Sequence, residues 1–75
     1  MDLKAAVAIA KRQIADVFAA DAPQNVRLEE FLYDDHLGVW TLTIGFAGIA
    51  APQIRNYKIV RVSEANRSIL SIRDR

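Results

Sequence analysis

Hydrophobic and polar positions follow two different periods along this chain, and the change falls near Val26. Before it, Leu3, Val7, Ala10, Ile14, Val17 and Phe18 recur at steps of three and four, with Lys4, Lys11, Arg12 and Asp16 mainly off their stripe. That spacing predicts one amphipathic helix over residues 3–20. Asp2 is placed to cap it, because a carboxylate there accepts a backbone N–H that the first turn leaves unpaired. Ala5, Ala6, Ala8, Ala15 and Ala19 favour helix, since an alanine side chain loses no rotamer freedom on ordering. Asp21-Ala22-Pro23 ends it, the residue before a proline being pushed out of the helical region.

After Val26 the period drops to two. Residues 26–33, 39–46, 57–64 and 68–73 read as strands. In the second the alternation is clean: Trp40, Leu42, Ile44 and Phe46 share one face, Thr41 and Thr43 the other. Asp34-Asp35-His36-Leu37-Gly38 and Ala65-Asn66-Arg67 read as turns, with Asn66 suited to a left-handed backbone. Short connections make successive strands antiparallel neighbours. The expected fold class is therefore α+β, an N-terminal helix packed on a four-stranded antiparallel meander, in one domain over residues 1–75. The face under the helix is expected to hold Trp40, Leu42, Ile44, Phe46, Val60, Val62, Leu70 and Ile72. The first strand leaves two readings open. Val26, Leu28 and Leu32 share a parity with Glu30, while Phe31 and Tyr33 take the other. Either a bulge shifts the register, or the two aromatics lie on the outer face.

Composition narrows the function. Seventy-five residues hold a single small domain. An apolar content of 52% excludes a disordered chain. No apolar run approaches the roughly 20 residues of a bilayer-spanning helix. The absence of cysteine removes disulfides, a thiolate nucleophile and cysteine metal sites. Met1-Asp2-Leu3-Lys4 and the polar break at Lys11-Arg12-Gln13 do not fit a secretory signal, so the expected compartment is the cytoplasm.

The search for chemistry returns no constellation. His36 is the one histidine; Asp34 and Asp35 precede it, but a stable metal site wants three or four ligands, and the run reads as a polar hairpin tip. Glu29 and Glu30 are adjacent, so on a strand they face opposite sides and cannot act on one substrate. Gly38, Gly45 and Gly48 are too sparse for a phosphate-cradling loop. No catalytic residue, metal or cofactor is assigned, and a non-enzyme is expected.

Charge is more informative when divided. Residues 1–35 carry four basic and seven acidic side chains, net −3, and residues 36–75 carry six basic and two acidic, net +4. On the third strand Arg55, Tyr57, Ile59 and Arg61 share the outer parity, joined on the fourth by Ile69, Ser71 and Arg73. A face mixing arginine, tyrosine and isoleucine fits a protein partner, for which Tyr and Arg are typical anchors. The expected contact residues are Tyr57, Ile59, Arg61, Ile69 and Arg73, and the expected partner is another protein or a second copy. The low net charge disfavours nucleic acid. The uncharged stretch 45–54 reads as a long loop folded over one end of the core, Ile49 and Ile54 tucked in, with docking as its other reading. A cup between helix and sheet, lined by Trp40 and Tyr33 and binding a small ligand, is the alternative from a different class.

Val39-Trp40-Thr41-Leu42-Thr43-Ile44-Gly45-Phe46, then Tyr57-Lys58-Ile59-Val60-Arg61-Val62 and Ser68-Ile69-Leu70-Ser71-Ile72, resemble the PepSY and PepSY-like domains in nearly the whole order of elements. The final turn departs from that pattern, with Ala65-Asn66-Arg67-Ser68 where the family commonly has Asp and Gly. The resemblance implies a small non-catalytic module that binds or restrains a protein, often a peptidase, and it carries over no catalytic residue. Cystatin-like and nuclear-transport-factor-like folds, including small immunity proteins, are similar in their strand succession. Fold analogy alone does not settle function.

Overall fold

A computed structural model describes residues 1–75. Helix α1 (Leu3–Val17) begins as the capping argument requires, with Asp2 extended and its side chain accepting the Ala5 N–H at 2.9 Å. It ends three residues short of the expected Ala20. The Phe18 N–H bonds back to Ile14, and Ala19–Asp21 then form a separate 3₁₀ turn closed by Ala22 in the left-handed region at φ 47°. Four strands follow: β1 (Gln24–Asp34), β2 (Val39–Gly48), β3 (Ala51–Ser63) and β4 (Ile69–Asp74). They form one antiparallel sheet in sequence order, with α1 across one face. The α+β meander inferred from periodicity is the observed fold. No helix is long and apolar enough to cross a membrane.

The core lies between α1 and the middle strands. Ala6, Ala10 and Ile14 from the helix meet Trp40, Leu42, Ile44, Phe46, Val60 and Val62. The buried stripe is rotated from the expected one. Ala6 replaces Val7, which is half-buried outside the cluster, and Val17 is exposed at the helix end. Ala6 and Ala10 are both fully buried, so small side chains line the contact with the sheet. Phe18 closes the far end of the core, its ring 5.3 Å from that of Phe46.

Bulges account for the remaining differences. In β1 the register slips between Leu28 and Glu30, leaving Glu29 extra. Phe31 then lies opposite Leu42 and Tyr33 opposite Trp40, on the helix side, so the bulge reading of this strand is the right one. In β4 the slip falls between Arg61 and Val62. Ile69 is opposite Val62 and packs on the core, whereas Leu70 is the extra residue and stands half exposed. The expectation is corrected at both positions: Ile69 belongs to the helix side rather than the outer face, and Leu70 is not buried.

The stretch 45–54 is not a loop. β2 runs on to Gly48, which pairs with Ala51 across a two-residue turn at Ile49-Ala50. Pro52, Gln53 and Ile54 are extra residues in an irregular stretch before pairing resumes at Arg55 opposite Ala47. Proline lacks the N–H that a regular ladder needs. Ile49 and Ile54 are 63% and 58% exposed instead of tucked in. The last turn also differs in detail. Arg67, not Asn66, takes the left-handed conformation at φ 58°, while the Asn66 side-chain oxygen accepts from the Ser68 N–H and hydroxyl.

Candidate interaction surface

On the outer face, register places Tyr57, Ile59, Arg61 and Arg73 together as expected. Gly45 lies opposite Tyr57, Thr43 opposite Ile59 and Thr41 opposite Arg61, and Ile59 also faces Arg73. This face is more closed than its composition implies. Arg55 bonds to Glu29 at 3.3 Å and to the Asn25 carbonyl at 2.9 Å, crossing β2 from one neighbouring strand to the other. Gly45 permits that crossing. A Cβ there would come within 2.5 Å of Glu29 Oε2 and 3.1 Å of the Tyr57 ring. Arg75 lies over the Tyr57 ring at 4.3 Å and reaches Glu30 at 3.5 Å. Arg75 covers Tyr57; Tyr57, Ile59 and Arg61 are all half-buried, and only Arg73 of this group is exposed.

Half of the large apolar side chains left in solvent lie along β1 and the turn after it. Phe31 is 55% exposed, Leu32 65%, and Leu37 at the β1–β2 turn 66%, with Tyr33 partly exposed between them. β1 is an edge strand, so its outer backbone groups have no neighbouring strand. Sequence reasoning passed over this edge in favour of the basic face. The signal was present: Phe31-Leu32-Tyr33 places three apolar residues in succession, and a strand covered on one side cannot bury both parities.

A second feature missed in the sequence is Glu64. Its carboxylate accepts the Trp40 indole N–H at 2.7 Å and pairs with the Met1 amino group. These two hydrogen bonds, the amino group's first and the indole's second, hold the Glu64 carboxyl below its usual pKa, against an opposing effect of desolvation. The Trp40 ring also packs against that of Tyr33, tilted by 43° with 4.6 Å between centroids. Trp40 is thus engaged through its indole N–H and through its ring.

Two open depressions mark the surface. One, of about 600 Å³, lies between α1 and β4 along Ile9, Arg12, Arg67 and Ile69; the other, of about 340 Å³, lies beside the β2–β3 turn. Neither is lined by Trp40 or Tyr33, the residues named for a ligand cup. At the β1–β2 turn, Asp34 Oδ1 accepts the His36 and Leu37 amides, and Gly38 supplies the positive φ of 65°. The Asp34 carboxylate therefore serves the turn. No three side chains from His, Cys, Asp and Glu converge anywhere in the chain. Comparison with family models, curated proteins and solved structures returns no match.

Proposed function

We propose that this chain is a non-enzymatic interaction module that binds or restrains a protein partner. The observation that carries this reading is the row of exposed Phe31, Leu32 and Tyr33 on an unpaired edge strand, continued by Leu37. Exposed apolar side chains on both faces of a strand whose backbone donors and acceptors are free are what strand addition by a partner uses. The contact surface is centred there. The half-buried outer group of Tyr57, Ile59 and Arg61, with exposed Arg73, forms its basic flank. The resemblance to PepSY-like domains supports the same reading.

The test is capture of a partner from the source cells by immobilised protein, compared across two double variants. Phe31→Ser with Leu32→Ser is expected to weaken capture by about tenfold or more, as loss of a central anchor does. Ile59→Ser with Arg61→Ser is expected to weaken it less. Capture that survives the first pair unchanged would remove the edge from the site.

A further inference from the structure

The free edge of β1 is complementary to itself. We infer that two copies of this chain join β1 to β1 in antiparallel fashion, continuing two four-stranded sheets into one of eight strands. This names a partner for the interaction surface above and rests on that reading.

The pairing with β2 assigns each β1 residue to a face. Leu28, Phe31 and Tyr33 point to the helix side; Arg27, Glu30, Leu32 and Asp34 point outward. A two-fold axis normal to the sheet reverses the strand without exchanging its faces, so it brings the helix side of one copy beside the helix side of the other. With the axis at Phe31, the two Phe31 rings meet. Leu28 then lies opposite Tyr33 of the second copy, and Arg27 opposite Asp34, each contact occurring twice. Glu30 falls beside Leu32, and the Glu29 bulge recurs symmetrically in both copies.

Other registers fare worse. An axis at Glu30 would oppose two carboxylates directly. An axis at Leu28 would match Arg27 with Glu30 but would leave Tyr33 in solvent.

The charged groups are free to take these roles. Arg27 has no ion pair within its own chain. Asp34 spends Oδ1 on the turn amides, and Oδ2 makes no hydrogen bond. Two-fold pairing also closes the assembly, since each copy has one such edge and the opposite edge, β4, is a different sequence.

The absence of cysteine gives a direct experiment. Residues directly opposite on antiparallel strands have Cα atoms about 4.5–5.5 Å apart, within the span of a disulfide. Phe31→Cys should form a disulfide-linked dimer under mild oxidation at least about tenfold faster than Ser68→Cys at the distant β3–β4 turn, through the raised effective concentration. In sedimentation, the wild-type mass should rise from one chain to two with concentration. Arg27→Asp and Asp34→Arg should each sediment as monomers, and mixing them should restore a dimer, because only the mixed pair is complementary at both contacts. Circular dichroism of each variant establishes that it is folded.

A wild-type chain that stays monomeric up to millimolar concentration would overturn the inference. So would Leu28→Cys linking faster than Phe31→Cys, or a mixture that remains monomeric with both variants folded. A monomer that still captures another protein through Phe31 and Leu32 would defeat self-pairing and leave the interaction reading standing.

Discussion

On its helix side β2 buries Leu42, Ile44 and Phe46 beneath apolar neighbours; on its outer side it buries Thr43, Gly45 and Ala47, with Arg55, Glu29 and Tyr57 lying over Gly45. The degree of burial is similar, but the forces are not. Apolar packing scales with area removed from water and is not weakened by charge screening. The outer cover of Arg55, Glu29, Tyr57 and Arg75 depends on ion pairs and a cation–π contact that solvent screens. One face holds the fold, while the other can be opened at small cost.

The largest effect separating the two faces should come from Phe46. Phe46→Ala removes a fully buried ring that contacts Phe18, and about 3–5 kcal/mol of stability should go with it in denaturant titration. A loss below about 1 kcal/mol would mean that the core collapses around the site.

Glu64 should come next, and its effect should depend on pH. Its carboxyl is held below the ordinary value in the folded chain, so its contribution is present above the unfolded pKa and is lost as pH falls through the depressed folded value. The melting temperature of the wild type should therefore fall on acidification more than that of Glu64→Gln, and the two curves should converge at the acid end. Trp40 fluorescence should report the same step, because the indole N–H is the second donor to this carboxylate. Parallel curves would show that Glu64 does not couple to folding.

The smallest effect should belong to the outer cover. Arg55→Met keeps an aliphatic side chain opposite Ala47 and removes the bonds to Glu29 and Asn25. The expected cost is about 1 kcal/mol or less, and it should shrink further in high salt. A loss rivalling that of Phe46→Ala would erase the distinction between the faces.

The comparison also shows what the residue pattern discloses. Helix, strand order and the apolar face of β2 were legible because periods of 3.6 and 2 persist over many residues there. Ile69 was misplaced because a bulge inverts parity locally and leaves no compositional mark. The 45–54 stretch resembles a loop in sequence because it joins two alternating segments and carries no charge. Here Gly45 instead makes room for side chains lying over it. Glu64 was invisible for another reason: its partners are 24 and 63 positions away, beyond any local pattern.

That last distance has a kinetic meaning. Each sheet neighbour follows its predecessor through a short turn, so the three hairpins close small loops. The helical segment meets its partners over longer separations, from Phe18 against Phe46 to Ile9 beside Ile69 and Met1 reaching Glu64. Loop-closure entropy makes such long-range contacts the costlier ones to begin with. The order of assembly that follows is a meander formed first and a helix that docks onto it, so an emerging chain holds its amphipathic segment in reserve until β3 and β4 have been made.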